Sequence, residues 1–170
     1  MRKHTRIRYW AHAAIIAALY AVLTHMQNIL IPNSASLSIQ CRLSEILCVL
    51  AFFTPAAIPG LTMGCLIFNI TFAAALPLDW VVGSLATLTA CAAMWGLRRV
   101  LVAGYPLPGM LMPAVTNAAL VGWELTVYIG GGFWLNALYV AIGELIVMLI
   151  FGTVLYYVLK RRHLDKLLFE

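Results

Sequence analysis

Charged residues are scarce in this chain: only 10% of its 170 residues are Asp, Glu, Lys or Arg, whereas 64% are hydrophobic. Soluble domains carry about 25% charged and about 45–50% apolar residues, so a soluble fold of this size would expose much apolar surface to water. The scarcity excludes an ordinary soluble protein and predicts that lipid surrounds most side chains. The net charge of +5 comes from basic residues that flank apolar runs, which is typical of membrane proteins rather than of nucleic-acid-binding faces.

The sequence also lacks the motifs of familiar catalytic sites. It has no GxxxxGK[ST] loop for ATP phosphates, no HExxH and no GxSxG. Its four cysteines show neither CxxC nor Cys/His ligand spacing, so neither a disulfide nor a metal site is supported. We therefore predict a protein without catalytic residues, cofactor or metal. If it moves a solute with the energy of ATP, the ATPase is expected on separate subunits.

Long apolar runs predict six membrane-spanning helices. About 20 apolar residues cross a hydrocarbon core of about 30 Å as a helix. Proline, glycine and charge interrupt the runs, and such residues mark turns and helix ends. The interruptions are Pro32, Pro55, Pro77, Arg98-Arg99 and Gly130-Gly131-Gly132. The predicted spans are residues 9–31, 37–54, 60–76, 79–97, 109–129 and 133–159.

The distribution of Lys and Arg supports this count. With six spans both termini lie on one side, and all eleven basic residues except Arg42 fall on that side. Cytoplasmic loops are enriched in Lys and Arg, so both termini are predicted to be cytoplasmic. A miscount by one span would put the termini on opposite faces and scatter the charges. The predicted fold is an all-α integral membrane bundle forming a single domain.

Polar residues are unevenly distributed along the predicted spans. At about 1.5 Å per residue, nearly all of them fall in the outer halves, and the inner halves are apolar. A charged side chain at the bilayer centre costs at least about 2.5–3.5 kcal/mol, so each needs a partner or a function. A channel or proton path would need polar groups at every depth, whereas this pattern predicts an outward-facing binding pocket. Its candidate residues are Arg42, Glu45, Asn69, Asp79, Trp80, Asn117, Glu124, Asn136 and Glu144.

Several of these residues have an alternative, structural interpretation. Arg42 and Glu45 are three apart on one predicted helix and can neutralise each other. The tryptophans can belong to an interfacial aromatic belt, and the asparagines can link helices by hydrogen bonds. Glu124 and Glu144 are harder to explain structurally, because neither of their spans contains Lys or Arg.

The first span carries small residues at helical spacing, which let another helix approach closely. Two interpretations are open: packing inside this chain, or a docking surface for another membrane protein near the cytoplasmic end. The alanines concerned are Ala13, Ala14, Ala17, Ala18 and Ala21.

Together these features resemble the substrate-binding S component of an energy-coupling-factor (ECF) transporter, and among these the QueT family. The resemblance covers about positions 40 to 150. The matching residues are Gln40-Cys41-Arg42-Leu43-Ser44-Glu45, Thr54-Pro55-Ala56-Ala57-Ile58-Pro59-Gly60-Leu61, Gly64-Cys65-Leu66-Ile67 with Asn69, Asp79 with Gly83-Ser84-Leu85-Ala86-Thr87-Leu88, Pro113 with Asn117, and Gly143-Glu144.

The resemblance implies that the pocket binds a 7-deazaguanine, either queuine or the 7-aminomethyl precursor. It also implies a location in the bacterial cell membrane, with an ECF module of one membrane scaffold protein (the T component) and two ATPases that drives uptake. A carboxylate can accept both N–H donors of the guanine edge, and a second carboxylate suits a cationic amine. The expected contacts are Glu45 and Glu124 first, then Arg42, Asn69 and Asn117, with Asp79 and Glu144 in second rank.

Other functions remain open on the residues alone. An S component for thiamine or a pterin-like vitamin would need a similar pocket. A membrane enzyme in the outer leaflet would need an acid–base pair or a metal set, and the carboxylates here come without histidine ligands. A small channel is disfavoured by the apolar inner halves.

Overall fold

The structure, a computed structural model, describes residues 3–31, 42–72 and 75–162, with side chains from residue 6 onward. Every regular element in these ranges is a helix. The α-helices are α1 (Lys3–Leu30), α2 (Ala57–Thr71), α3 (Pro77–Leu97), α4 (Leu107–Met110), α5 (Met112–Tyr128), α6 (Phe133–Ile146) and α7 (Thr153–Arg161). A 3₁₀ helix covers Leu43–Phe52, and a π-helical segment, Val147–Gly152, joins α6 to α7.

Within the ranges that the structure describes, four helices are long and apolar enough to cross a membrane: Arg6–Leu30, Pro77–Leu97, Leu107–Tyr128 and Phe133–Arg161. The protein is therefore a multi-pass membrane protein, as predicted. The other two predicted spans, 37–54 and 60–76, correspond to shorter apolar helices, Leu43–Phe52 and Ala57–Thr71. Residues 37–41 and 73–74 of those spans lie outside the described residues. The count of six spans and the cytoplasmic termini remain predictions.

The start of α2 differs from the prediction, which began the third span at residue 60. The helix instead begins at Ala57 and carries Pro59 in its first turn. Proline is tolerated there because the first N–H groups of a helix have no partner within it. The helix therefore starts three residues before the predicted span.

The 3₁₀ helix replaces the α-helix that we predicted for the second span. Side chains at i and i+3 eclipse in a 3₁₀ helix, so Arg42 at its N-cap, Glu45, Cys48 and Ala51 form one column. Glu45 is 1% exposed, and Cys48 and Ala51 are fully buried. Ten residues rise about 20 Å in this geometry, against about 15 Å in an α-helix. The column points one cation and one carboxyl group into the interior.

Small residues bring α1 and α2 into close contact. A Cβ atom on Gly60 would lie 2.7 Å from the Ala13 carbonyl oxygen, and one on Gly64 would lie 2.7 Å from that of Ala17. Ala13, Ala17 and Ala21 are buried within the chain. This side of the alanine face packs internally and is not available for a partner, because α2 covers it. Ala14 and Ala18 are exposed.

The interior is divided into a polar and an apolar half. The main apolar core joins the ends of several helices, including Phe52, Met94, Met110 and Tyr156. Along each helix the buried polar residues lie beyond this core. In helices that run one way they follow the core residues, as Asn117 follows Met110, and in helices that run the other way they precede them, as Glu144 precedes Met148. The polar residues therefore gather at one end of the bundle.

We predict that Gly64→Ala destabilises the protein, because the new Cβ would meet backbone and Cβ atoms of α1 below 3.0 Å. Overpacking of this kind costs about 1–3 kcal/mol. Gly96→Ala is the matched control, since no atom lies within 4 Å of its Cβ position. Thermal unfolding in detergent should show a lower midpoint for Gly64→Ala only. Equal midpoints would contradict the close helix contact.

Candidate substrate-binding site

Glu45 is held by hydrogen bonds to both of its carboxylate oxygens. The Tyr20 hydroxyl of α1 donates to Oε1 at 2.6 Å, and the Cys48 thiol donates to Oε2 at 3.0 Å. Two further bonds tie α1 to the start of the 3₁₀ helix: Thr24 donates to Ser44 at 2.7 Å, and the Gln27 side chain accepts from the Leu43 N–H at 2.8 Å. Together these contacts set the position of the column that contains Glu45.

Arg42 lies at the top of the same column. Its Nη1 is 3.9 Å from the Cys65 thiol, and its guanidinium lies 5.9 Å from the centre of the Phe68 ring. The charges of Glu45 and Arg42 act on each other. A Cβ atom on Gly83 of α3 would lie 2.9 Å from Asn69 Nδ2 and 3.8 Å from Arg42 Nη1, so the glycine makes room for the Asn69 amide beside the guanidinium.

Asn69 and Asp79 connect α2 to the start of α3. The Asn69 amide donates to the Asp79 backbone carbonyl at 2.7 Å, and Asp79 Oδ2 accepts from the Leu76 N–H at 2.7 Å. The second bond caps α3, whose first N–H groups lack partners in the helix. Asn69 is 1% exposed, and its Oδ1 accepts no hydrogen bond from any described residue.

Glu124 and Glu144 bring two more carboxyl groups into this end of the bundle. Glu144 Oε1 accepts from the Asn117 amide at 2.9 Å, and the charges of Arg42 and Glu45 act on Glu144. The Glu124 and Asp79 carboxyl groups act on each other, and the charge of Arg42 acts on Glu124. Both glutamates are 3% exposed. Glu124 Oε1 and Glu144 Oε2 have no hydrogen-bond partner among the described residues.

Two predicted site residues lie apart from this cluster. Asn136 donates to Thr126 and to the Gly130 carbonyl, each at 3.1 Å, so its amide holds the turn between α5 and α6. Trp80 is partly exposed at 38%, and Trp134, at the start of α6, is 82% exposed. These tryptophan positions fit the interfacial belt that was the alternative interpretation.

Sequence reasoning missed several residues that build the site. Tyr20, Cys48 and Gly83 are each buried beside a predicted site residue. A spacing of three residues from Glu45 would have indicated Cys48 only if the helix had been predicted as 3₁₀. No local sequence pattern indicates Tyr20, because its hydrogen-bond partner Glu45 is 25 residues away. Within the described residues, no group of three His, Cys, Asp or Glu side chains is arranged to hold a metal.

A surface groove of about 450 Å³ lies between α5 and α6, away from the polar cluster. Its lining is apolar and includes Leu111, Ala114, Ala118, Ala141 and Leu145. Such a lining has almost no hydrogen-bonding groups to recognise a polar ligand. The polar cluster is therefore the better candidate for substrate binding.

Comparison with known proteins identifies the family. The profile of the QueT transporter family matches residues 10–161. The chain belongs to the QueT transporter family. It is also similar to the "Queuosine precursor transporter QueT" of Lactococcus lactis subsp. cremoris (strain MG1363), with 41% identity over 78 residues. That alignment covers 44% of this chain and 42% of the relative. No solved structure matches.

Family membership places the polar cluster in a transporter. The chain is a multi-pass membrane protein of a transporter family, and its relative is bacterial. The residues of the cluster, from Arg42 to Glu144, all fall within the matched range.

We predict that Tyr20→Phe lowers stability, because it removes the hydroxyl that donates to the buried Glu45 carboxylate. Leaving a buried acceptor unmatched costs about 1–3 kcal/mol. Tyr157→Phe is the control, since Tyr157 is 41% exposed. Thermal unfolding should separate the two variants, and similar midpoints would show that the Tyr20–Glu45 bond contributes little.

Proposed function

We propose that this chain is the substrate-binding subunit of an ECF-type importer that captures a queuosine precursor from outside, either queuine or 7-aminomethyl-7-deazaguanine. The observation that carries the proposal is a set of buried acceptor atoms without a partner among the described residues: Asn69 Oδ1, Glu124 Oε1 and Glu144 Oε2. The Lactococcus lactis relative is named as a queuosine precursor transporter, which agrees with this substrate.

The chemistry of a 7-deazaguanine complements such a site. Its guanine edge offers adjacent N–H donors beside one carbonyl, and buried acceptors left unmatched cost about 1–3 kcal/mol each. A ligand whose N–H groups donate to Glu144, Glu124 and Asn69 removes this cost. Arg42, the basic residue of the cluster, is suited to donate to the ligand carbonyl.

The contacts of Glu45 change its proposed role. Both of its oxygens accept hydrogen bonds from Tyr20 and Cys48, whereas Glu124 and Glu144 each keep one unmatched oxygen. We therefore assign ligand contact to Glu124 and Glu144, and assign to Glu45 the task of holding the wall that carries Arg42. Asn117 positions Glu144 through its 2.9 Å hydrogen bond.

The proposal includes an ECF module of one membrane scaffold protein and two ATPases. The absence of a phosphate-binding loop in this sequence supports separate ATPases. The exposed Ala14 and Ala18 of α1 offer a small-residue surface for the scaffold. The chain itself is proposed to have no enzymatic activity, six spans and cytoplasmic termini.

We predict that the purified protein binds queuine or 7-aminomethyl-7-deazaguanine in a titration, and binds neither thiamine nor a pterin. Glu144→Gln should weaken binding by at least about tenfold. The side-chain amide of the glutamine would place an N–H donor where the N–H donors of the ligand need an acceptor. Trp134→Phe is the control, since this side chain is 82% exposed. Tight thiamine binding, or full affinity in Glu144→Gln, would contradict the assignment.

A tagged copy expressed in its own host should co-purify with two ATPases and a membrane scaffold. Ala14→Leu combined with Ala18→Leu should reduce this recovery severalfold and leave ligand binding intact, because bulky side chains prevent close helix approach. Ala92→Leu, at an exposed alanine of α3, serves as the control. Purification of an active transporter without ATPases would count against the importer.

A further inference from the structure

The polar end of the bundle contains more carboxyl groups than cations. Between residues 9 and 159 the acidic residues are Glu45, Asp79, Glu124 and Glu144, and Arg42 is the only Lys or Arg besides Arg98-Arg99. Arg98 lies at the other end of α3 from Asp79, where its guanidinium packs on Trp95. His25 is bonded to Thr71 at an exposed position. One guanidinium therefore faces four carboxyl groups.

The arrangement of these groups leaves one pair poorly balanced. Glu45 shares the 3₁₀ column with Arg42 and accepts two hydrogen bonds. Glu124 lies one turn before Tyr128 of α5, whose hydroxyl accepts from the Leu78 N–H next to Asp79 at 3.0 Å, and the Glu124 and Asp79 carboxyl groups act on each other. Ionising both carboxyl groups of this pair costs free energy through their repulsion, and the repulsion grows as water is excluded. A cation between them removes the repulsion.

Unmatched acceptors mark the same place independently. Glu124 Oε1 and Asn69 Oδ1 are buried and accept no hydrogen bond from described residues, and Asn69 is bonded to the Asp79 backbone. An ammonium group carries three N–H donors and one charge. An ammonium group can donate one hydrogen bond each to Glu124, Asp79 and Asn69. A neutral group of the same size lacks the positive charge that balances the two carboxyl groups.

We infer that the Asp79–Glu124 pair binds the ammonium group of a cationic ligand, so that the protein selects 7-deazaguanines with a protonated aminomethyl group over neutral ones. This inference rests on the proposed function and adds to it the charge of the substrate and the residues that read it. Glu144, which is bonded to Asn117, and Arg42 are left to read the guanine edge.

Titrations with two ligands of similar size test the inference. 7-Aminomethyl-7-deazaguanine is cationic, and 7-cyano-7-deazaguanine is neutral with the same base. We expect the wild-type protein to bind the cationic ligand at least about tenfold more tightly, as charge-assisted hydrogen bonds are stronger than neutral ones. Glu124→Gln and Asp79→Asn should each remove most of this preference and change the affinity for the cyano ligand less than about threefold. Retained binding of the cyano ligand also shows that the variants fold.

Glu144→Gln is the matched control, because it should weaken both ligands alike. Equal affinity of the wild-type protein for the two ligands would overturn the inference and leave the proposed function standing. An equal loss for both ligands in Glu124→Gln would also overturn it, by assigning Glu124 to the base. If the wild-type protein bound neither ligand, the proposed function would fail and the inference with it.

Discussion

The buried carboxylate of Glu45, bonded by Tyr20 and Cys48, is the interaction on which the rest of the site depends. A carboxylate taken out of water loses several kcal/mol of solvation, so it is stable only when its oxygens are hydrogen-bonded or paired with a cation. The Tyr20 bond joins elements 25 residues apart in sequence and holds the 3₁₀ helix against α1. Arg42, in the same column as Glu45, then lies where α2 and α3 meet.

Two departures from α-helical geometry lie beside the buried carboxyl groups. The 3₁₀ helix carries Glu45, and the π-helical segment begins three residues after Glu144. The two pack against each other, and a Cβ on Gly152 would lie 3.3 Å from Val49. A helix with a different number of residues per turn rotates its later side chains relative to its earlier ones. Both segments thereby change which residues face the interior.

The division of the bundle into a polar and an apolar half limits what the protein can do. The apolar core below the carboxyl groups includes Met94, Met110 and Met148, none of them exposed. Such a core offers no hydrogen bonds to a moving ion or proton, so the polar groups at one end do not continue through the bundle.

Much of this protein was determined by the sequence alone. Apolar run length, proline positions and basic flanks predicted a helical membrane protein, because lipid imposes those patterns locally along the chain. The depth of Glu124, Asn117 and Glu144 predicted that polar residues gather at one end. Family resemblance, carried by short motifs such as Gly143-Glu144, was confirmed by the family match.

Only the tertiary structure decided how the polar residues are paired. It placed the Tyr20 hydroxyl on Glu45, set Glu124 beside Asp79, and moved Asn136 to a turn. It also buried Ala13 and Ala17 against α2, whereas their spacing alone allowed either internal packing or docking. These outcomes depend on contacts between helices far apart in sequence and on the 3₁₀ geometry of Leu43–Phe52. Local residue patterns indicate neither these contacts nor the 3₁₀ geometry, because hydrogen-bond partners are determined when the helices pack.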